Sequence, residues 1–242
     1  IMHKPLIIIT GASSGIGAAT ARLFAAQGHA LLLLARRLPN LQALTLPNCL
    51  CRAVDICDRA GVLAAVAEAE ARFGPADGLV NNAGVMLLGR ISEQDPAEWQ
   101  RMFDVNVKGL LNGIHAVVAG MQARQRGTII NVSSVAGRKT FANHVAYVGS
   151  KFAVHGISEN LREEVAADGV RVITIAPGAV ETELLSHTTD ASIKAGYQAW
   201  KADMGGEVLQ AEDVAEAIGF AYQQPARVCI REIVLAGTRQ QS

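Results

Sequence analysis

The chain has 242 residues, of which 50% are hydrophobic and 18% are charged, and its 22 basic side chains balance its 22 acidic ones. This composition indicates a large buried core and excludes a disordered chain. Zero net charge argues against nucleic acid or an anionic membrane as a partner, and no apolar run approaches the ~18 residues of a membrane span.

Short apolar runs alternate with longer helical patterns from one end of the chain to the other. Strands that are apolar throughout and alternate with helices are typical of a parallel sheet covered on both faces. No linker, charge block or repeat divides the sequence, so we predict a single α/β domain over residues 1–242. The predicted strands are Pro5–Thr10, Ala30–Ala35, Leu50–Val54, Gly78–Asn81, Thr128–Val132, Arg171–Ile175 and Cys229–Leu235. The predicted helices are Gly15–Gln27, Arg59–Phe73, Ala97–Gln125, His144–Ala167 and Ala211–Tyr222.

A glycine-rich turn follows the first predicted strand. The sequence TGASSGIG begins at Thr10, opens the first predicted helix and carries Gly11, Gly15 and Gly17. Glycines there permit a tight turn and a close approach of the backbone to a diphosphate, which the positive end of the helix then faces. A lone glycine-rich turn is weak evidence, but its place inside a βαβ unit makes it a strong indication of a dinucleotide site. The spacing is G-x-x-x-G-x-G rather than G-x-G-x-x-G.

Two arginines, Arg36 and Arg37, follow the second predicted strand. An NAD-binding domain would place an acid about twenty residues beyond the glycine turn, where it accepts a hydrogen bond from the ribose 2′-OH. Guanidinium groups instead suit a 2′-phosphate, by charge and by fork geometry. We therefore predict NADP(H) as the cofactor. Two arginines that only end a strand in solvent are the alternative.

The four cysteines, Cys49, Cys51, Cys57 and Cys229, form no C-x-x-C pair. Small buried hydrophobic residues in a reducing compartment are the simplest interpretation. The N-terminal residues 1–5 lack the apolar core of a secretory signal. We expect a cytoplasmic protein without disulfides.

A helix start stands at Asp95-Pro96-Ala97-Glu98. Asp95 is a good N-cap, proline suits the first helical position, and Glu98 lies three residues after the cap. The predicted helix that follows is long enough to be two helices. We expect a break at Gly109.

The stretch YVGSK places Tyr147 and Lys151 at positions i and i+4 of a predicted helix. Side chains at this spacing share one helix face, so the phenol and the ammonium can converge. A phenol has a pKa of ~10 in water, which makes it a slow proton donor at neutral pH. A nearby ammonium stabilises the phenolate and lowers that pKa, which would make the tyrosine a usable general acid or base. Two exposed side chains on a helix are the alternative.

The segment Glu181–Gly206 interrupts the alternation of strands and helices. It is polar and Thr-rich, and it contains Tyr197 and Trp200. A long irregular segment after a late strand is commonly a lid or a substrate loop. We predict a mobile substrate lid over residues 181–206.

Six motifs of this sequence occur in the order found in one protein family. They are TGASSGIG, NNAG at Asn81–Gly84, NVKG from Asn106, NVSSVAG at Asn131–Gly137, YVGSK, and PGAVET at Pro177–Thr182. Together they resemble the single-domain branch of the short-chain dehydrogenase/reductase family, over essentially the whole chain. The resemblance implies a Rossmann-like, doubly wound parallel sheet of about seven strands with helices on both faces. It also implies a homotetramer that pairs through the long helices.

The family pattern assigns four catalytic positions to this chain. By resemblance, Tyr147 and Lys151 are the catalytic tyrosine and lysine. The catalytic serine lies thirteen residues before the tyrosine, which selects Ser134 over Ser133. Asn106 matches the assisting asparagine and would hold a water that supplies protons to the lysine.

The resemblance also implies which residues contact NADP(H). Asp55 matches an adenine-contacting acid, and Asn82 matches a contact to the ribose. Val180 and Thr182 match contacts to the nicotinamide half. The full set of implied cofactor-binding residues is Gly11, Ser13, Ser14, Gly15, Ile16, Gly17, Arg36, Arg37, Asp55, Ile56, Asn82, Ala83, Gly84, Tyr147, Lys151, Pro177, Gly178, Val180 and Thr182.

Within the family, the arginine pair and the C-terminal region look most like serine or 3-hydroxy acid dehydrogenases of the NADP type. The implied activity interconverts a small ketone or aldehyde and a secondary alcohol or 3-hydroxy acid by hydride transfer. Arg138 and Lys139 would then bind a substrate carboxylate, or they are an ordinary solvated pair. One alternative is a reductase of 3-oxoacyl groups on acyl carrier protein, which a neutral chain does not favour. Another is an NADP-sensing regulator without turnover, which would tend to lose the tyrosine or the lysine.

Two histidines, His144 and His155, lie one helical turn from Tyr147 and Lys151, respectively. No second motif supports a proton relay through them, so we interpret both as surface or packing residues. No cluster of His, Cys and Asp has metal-ligand spacing, and we predict no metal.

Overall fold

The computed structural model describes residues 4–240. Seven parallel strands form one sheet in the order β3-β2-β1-β4-β5-β6-β7, which confirms the predicted doubly wound α/β fold. The strands are β1 (Lys4–Thr10), β2 (His29–Ala35), β3 (Cys49–Ala53), β4 (Ala76–Asn81), β5 (Gly127–Val132), β6 (Val170–Pro177) and β7 (Glu232–Leu235). The first three and last two residues of the predicted domain lie outside the described part of the chain.

Eight α-helices accompany the sheet within residues 4–240. They are α1 (Gly15–Ala26), α2 (Leu38–Gln42), α3 (Arg59–Phe73), α4 (Pro96–Phe103), α5 (Leu110–Ala123), α6 (Val145–Val165), α7 (Ala191–Asp203) and α8 (Ala211–Gln223). The short α2 was not predicted. Every helix in the described part of the chain is too short or too polar to cross a membrane.

Two hydrophobic cores lie on opposite faces of the sheet. Along β1, Leu6 and Ile8 pack with α3, α5 and α6, whereas Ile7 and Ile9 pack with α1 and α8. Each buried side chain of this kind contributes ~1.5–3 kcal/mol. Because both faces of each central strand are buried, the strands read as continuous apolar runs.

The winding of the chain reverses beside β1. This strand pairs with β2 on one side and with β4 on the other, so the first three strands extend in one direction and the later ones in the other. In open parallel sheets of this kind, a crevice opens at the carboxyl ends of the strands where the order reverses. The loops that follow β1 and β4 meet there.

The long predicted helix Ala97–Gln125 is continuous but changes its winding. Asp95 caps α4, because its carboxylate accepts a hydrogen bond from the Ala97 amide at 2.9 Å. A π-helical turn over Asp104–Gly109 then joins α4 to α5. A Cβ atom added at Gly109 would lie 2.6 Å from the Ile56 side chain, so glycine permits the close approach of the loop after β3. Gly109 ends the π turn rather than breaking the helix.

The segment 181–206 is not irregular, contrary to the prediction. A 3-10 turn spans Glu183–His187, and α7 occupies half of the segment. The helix signal that the polar composition obscured is Asp190, whose carboxylate accepts from the amides of Ser192 and Ile193. The ends of the segment are held together, since Val180 and Leu209 form an isolated β-bridge.

The last strand is shorter than the predicted Cys229–Leu235. Strand β7 lies at the sheet edge and pairs only with β6, beginning where Glu232 comes alongside Thr174. Within the predicted range before that point, the Arg231 carbonyl accepts from the Arg162 guanidinium at 3.1 Å as well as from the Thr174 amide. A side-chain partner of this kind leaves no signal in local hydrophobicity.

Candidate active site

A cavity of about 1160 Å³ opens at the carboxyl ends of the strands. Its walls come from the loops after β1 to β6 and from the segment that follows Val180. Most predicted site residues line it. The exceptions, Gly17 and Asn106, lie behind its wall.

The glycine-rich turn forms one end of the cavity. A Cβ atom added at Gly17 would lie 2.4 Å from the Gly11 carbonyl oxygen, and one at Gly11 would lie 2.8 Å from the Ala83 Cα. Gly11 also has a positive φ of 65°, which L side chains rarely adopt. Ser13, Ser14, Gly15 and Ile16 line the cavity where α1 begins. The positive end of this helix therefore faces the cavity, as an anion site requires.

The segment after β4 holds the glycine turn in place. The Thr10 hydroxyl oxygen accepts from the amides of Asn82 and Ala83, both at 3.0 Å. The Asn82 side chain donates to the carbonyls of Thr10 and Gly11 at 3.1 and 3.2 Å. Asn82, Ala83 and Gly84 all line the cavity. In this structure Asn82 is thus occupied with the backbone of the turn.

The arginine pair lies at the same end of the cavity, after β2. One Arg37 nitrogen donates to the Ser14 hydroxyl and to the Glu183 carboxylate, both at 2.9 Å, and to the Ser13 hydroxyl at 3.3 Å. The hydrogen bond from Arg37 lowers the pKa of Glu183. Sequence reasoning missed this acid, because nothing local links residue 183 to residue 37. Arg37 therefore bridges the glycine turn and the segment 181–206.

Two further stretches complete this half of the cavity. Asp55 and Ile56 line it after β3, and Pro177, Gly178, Val180 and Thr182 line it after β6. The backbone after Gly178 is held by a residue near the far end of the chain. The side-chain oxygen of Gln240 accepts a hydrogen bond from the Ala179 amide at 2.8 Å. Gln240 also lines the cavity, and no motif identified it.

The predicted catalytic side chains converge at the other end. Ser134 follows β5, and Tyr147 and Lys151 lie on α6, as the i, i+4 spacing predicts. The tyrosine is 4% exposed and the lysine 7%. The Lys151 ammonium donates to the Val132 carbonyl at 3.2 Å and lies 5.8 Å from the centre of the tyrosine ring. The exposed-pair alternative is therefore wrong.

Burial shifts the pKa values of this pair in opposite directions. It raises the pKa of Tyr147, with a further increase from Tyr197, while a hydrogen bond with Ser134 opposes the shift. It lowers the pKa of Lys151 from 10.5 to about 8. The expected lowering of the tyrosine pKa by the lysine is not found here, because desolvation of the phenol has the larger effect.

Asn106 lies in the π turn and is 2% exposed. Its side chain accepts from the Val85 amide at 2.8 Å and donates to the Val85 carbonyl at 2.9 Å and to the Ser150 hydroxyl at 3.0 Å. A Cβ atom added at Gly84 would lie 3.3 Å from the Asn106 oxygen and 3.8 Å from the Lys151 nitrogen. Asn106 therefore lies beside Lys151, with its amide bonded to the protein.

The structure does not place Arg138 and Lys139 where a substrate carboxylate would bind. Neither is among the described residues that line the cavity. The Arg138 guanidinium pairs with Glu232 at 2.6 Å, and the Lys139 ammonium lies 4.8 Å from the centre of the Phe141 ring. The solvated-pair interpretation fits these contacts.

The two histidines have different surroundings. His144 lines the cavity with its ring 6.2 Å from that of Tyr147, and burial lowers its pKa. His155 packs beneath the site, between Ser133 and Glu232. Residues 4–240 contain no group of three or more His, Cys, Asp or Glu side chains that could hold a metal ion.

Comparison with known proteins gives consistent matches. A sequence model described as short chain dehydrogenase matches residues 5–192. The chain is 35% identical to an uncharacterized oxidoreductase of Staphylococcus saprophyticus over 241 residues, which cover 97% of the chain and 96% of that protein. It is 39% identical to the glycine betaine reductase of Emericella nidulans over 235 residues. That match covers 94% of the chain but only 18% of the fungal protein.

The structure is similar to the closed form of a serine dehydrogenase complexed with NADP⁺. The TM-score is 0.91 at 32% sequence identity, and the match covers 98% of this chain and 96% of the other.

Proposed function

Because the chain belongs to the short-chain dehydrogenase family, we propose that it is an NADP(H)-dependent oxidoreductase. It interconverts a small ketone or aldehyde and a secondary alcohol or 3-hydroxy acid. The observation that supports this activity best is the convergence of Ser134, Tyr147 and Lys151 in one buried corner of a cavity whose other end is a glycine turn. A phenol, a hydroxyl and an ammonium at that place can bind and protonate a carbonyl oxygen.

The residues around the cavity fit NADP(H). The backbone of the glycine turn and the start of α1 would hold the diphosphate. Arg36 and Arg37 would bind the 2′-phosphate, and Asp55 would contact the adenine. The stretches after β4 and β6 would contact the ribose and the nicotinamide. The close packing at Gly11 and Gly17 supports this fit, since a side chain at either position would collide with the backbone that shapes the cradle. The chemistry that the cofactor supplies when bound is hydride transfer to or from the substrate carbon.

The protein supplies proton transfer and orientation. Tyr147 donates its phenolic proton to the substrate oxygen, and its raised pKa keeps that proton in place at neutral pH. Ser134 donates a hydrogen bond to the same oxygen and fixes the carbonyl for attack. The Lys151 ammonium stabilises the phenolate that forms and holds the cofactor ribose. The Asn106 amide is bonded to Val85 and Ser150, so a proton-supplying water would bind to main-chain groups of the π turn.

Two other functions remain as alternatives. A reductase of 3-oxoacyl groups on acyl carrier protein would need a basic docking surface beside the cavity, and the neutral chain does not favour one. An NADP-sensing regulator would bind the cofactor without turnover, whereas this chain keeps all four catalytic residues. We also propose that the protein is cytoplasmic, that residues 181–206 form a lid within a single domain, and that the assembly is a homotetramer.

The test is NADPH consumption, followed at 340 nm, over a panel of β-keto esters, semialdehydes and simple ketones. Tyr147→Phe serves as the control for background oxidation. We expect turnover with at least one class and none with the variant. Tight NADPH binding without turnover on any class would favour the regulator instead.

A further inference from the structure

The cavity wall beside Tyr147 is apolar. Ten side chains that line it pack in the same hydrophobic cluster as the tyrosine, among them Met86, Leu88, Phe141, Leu184, Ile193 and Tyr197. The segment that carries Ile193 and Tyr197 adds carboxylates to the lining, those of Glu181 and Asp190 among them. Burial raises the pKa of Tyr197 to about 12, with a further increase from the Glu181 carboxylate.

The cations nearest this wall have carboxylate partners. Lys201 pairs with Glu181, and its side chain is only 12% exposed. Arg90 lies at the rim, 3.9 Å from Glu93, and its charge also lowers the pKa of Asp190.

The remaining cations of the cavity have other tasks. Lys151 lies beneath the tyrosine and donates to a backbone carbonyl. Arg36 and Arg37 follow β2, which is three strand spacings from β5, or about 14 Å away. A carboxylate held against the apolar wall would therefore lose its hydration without gaining a cation, which is costly.

We propose that the substrate is a neutral carbonyl compound with apolar substituents rather than a hydroxy or keto acid. This inference rests on the proposed function and narrows it. The carbonyl oxygen binds to the hydroxyl groups of Ser134 and Tyr147, which line the cavity beside the apolar cluster. The apolar substituents then lie against Met86, Leu184 and Ile193.

A matched pair of substrates tests the proposal. Ethyl 3-oxobutanoate and 3-oxobutanoate carry the same reacting ketone and differ in charge. We expect kcat/KM with NADPH to be about a hundredfold higher for the ester, which corresponds to two factors of ten in transition-state stabilisation. Each methylene added to the ketone side of the ester should raise kcat/KM about fourfold until the wall is filled.

A charge-placing variant sharpens this test. Ile193→Lys should raise kcat/KM for 3-oxobutanoate relative to its ester, whereas Ile193→Gln, a polar control without charge, should not. Equal or faster turnover of the acid by the wild type would overturn the proposal and leave the oxidoreductase function intact. Turnover of neither compound, nor of any carbonyl in the wider panel, would count against the proposed function itself.

A second inference rests on a polar chain beneath the site. The Ser133 hydroxyl lies 3.0 Å from His155 Nδ1, and His155 Nε2 lies 3.0 Å from the Glu232 carboxylate. The carboxylate only accepts, so the imidazole donates from Nε2. The Lys151 carbonyl lies 3.3 Å from the Ser133 hydroxyl and 3.1 Å from His155 Nδ1, so it also belongs to this chain of contacts. These three residues join β5, α6 and β7.

The chain reaches the catalytic residues through the backbone. Ser133 directly precedes Ser134, and the Lys151 ammonium is bonded to the carbonyl of the residue before it, Val132. The turn after Ser134 closes onto the imidazole, since a Cβ atom added at Gly137 would lie 2.3 Å from His155 Nδ1. We infer that Ser133, His155 and Glu232 are positioning residues that fix Ser134 relative to Lys151.

A matched pair of buried serines tests the second inference. Ser133→Ala removes the end of the chain. Ser158→Ala removes another buried hydroxyl that joins β5 to α6, through Asn131 at 2.9 Å, but two turns further from the site. We expect similar losses in melting temperature, a roughly tenfold lower kcat for Ser133→Ala only, and unchanged KM for NADPH in both.

Glu232→Gln gives an independent measurement should Ser133→Ala fold poorly. It keeps the shape of the side chain and weakens the contact to His155, and we expect a smaller fall in kcat in the same direction. Equal kcat for Ser133→Ala, Ser158→Ala and the wild type would show that the polar chain is only structural. The same conclusion would follow from equal falls in kcat for the two serine variants.

Discussion

The charged form of Tyr147 is an anion and that of Lys151 is a cation, and burial disfavours both charged forms. A buried phenol resists ionisation and a buried ammonium resists protonation, so the protein interior favours the neutral form of each residue. Catalysis in the oxidation direction needs the reverse, a phenolate beside an ammonium. In the mechanism that we propose, the site therefore favours proton donation, in the reduction direction, and Lys151 stabilises the phenolate that results.

Tyr147→Phe should abolish turnover and leave NADPH affinity within about twofold of the wild type, because the ring is kept and only the ionisable proton is lost. Lys151→Met should weaken both, since the ammonium serves the phenolate and the ribose. Steady-state rates and fluorescence titration with NADPH measure the two effects. A Tyr147→Phe rate within tenfold of the wild type would show that another group donates the proton.

The buried lysine also predicts a pH dependence of stability. Its pKa is about 8 in the folded protein and 10.5 ordinarily, so between these values the unfolded chain binds more protons than the folded one. The free energy of unfolding of the wild type therefore receives an increasing contribution from Lys151 as pH rises from 8 to 10.5. Lys151→Met lacks the gain, so its stability relative to the wild type should fall over that range. Urea unfolding at pH 7.5 and at pH 10 measures this, and a constant difference would contradict it.

Cofactor preference should reside in Arg36 and Arg37. A guanidinium makes charge-assisted bonds to a 2′-phosphate, each worth ~1.5–3 kcal/mol, and exposure should reduce the sum to about a hundredfold in kcat/KM. Arg36→Asp with Arg37→Ile should weaken NADPH use by that factor and leave NADH use level or improved. Since Glu183 pairs with Arg37, Glu183→Gln should raise kcat/KM for NADPH several-fold. A wild-type NADPH-to-NADH ratio at or below one would refute the assignment.

At this scale, nearly all the residues that the sequence motifs predicted line the cavity. Each motif follows a strand, and parallel strands bring their carboxyl ends to one edge of the sheet, so order in sequence becomes proximity in space. Glu183 and Gln240 were not predicted, because they belong to no motif and their partners lie far away along the chain. The direction of the tyrosine pKa shift also escaped, since it depends on burial that the sequence does not specify.

Among the elements, α6 carries two of the proposed catalytic residues, Tyr147 and Lys151. A glycine inside this helix has a different role from a glycine in the turn before it. Gly149 lies in the helix interior, where a Cβ atom would meet only Phe103 at 3.4 Å, an ordinary contact. Gly149→Ala should therefore stabilise the protein by ~0.5–1 kcal/mol and leave kcat unchanged. Gly137→Ala, the contrasting variant, would place its methyl group against His155 and the Lys151 carbonyl. This variant should lower both the free energy of unfolding and kcat. Chemical denaturation and rates measure this, and a destabilised Gly149→Ala would show that the helix needs the smaller residue.

Helices and central strands followed from the sequence because their hydrophobic periodicity reports local packing. The start of strand β7 and the helix within the segment 181–206 did not. The edge strand starts where β6 meets it, which is a tertiary event, and α7 begins at an Asp190 cap inside a polar stretch whose helical period is weak. The π turn at Asp104–Gly109 was read as a break, since a glycine in a long helix does not distinguish the two.

At the scale of the molecule, one surface is unusually apolar. Phe103, Leu111, Val145 and Phe152 are between 40% and 56% exposed and lie on α4, α5 and α6. Large apolar side chains exposed on three consecutive helices are expected where subunits meet. We expect light scattering at micromolar concentration to show a homotetramer, or at least a dimer. Phe152→Glu should give a species of half the wild-type mass. A stable 25.5 kDa monomer would refute this.

The bridge between Val180 and Leu209 has a consequence for how this protein diversifies. The Glu181 amide donates to the Leu209 carbonyl at 2.8 Å, and the Leu209 amide donates to the Ala179 carbonyl at 3.1 Å. The intervening stretch thus leaves and re-enters the body of the protein at one point. Doubling the length of such a loop costs only ~0.6 kcal/mol of closure entropy. We therefore expect that one contiguous block of codons, for residues 184–207, could be exchanged as a unit. In the function that we propose, the exchange would change the substrates accepted and leave the glycine turn, Tyr147 and Lys151 in place.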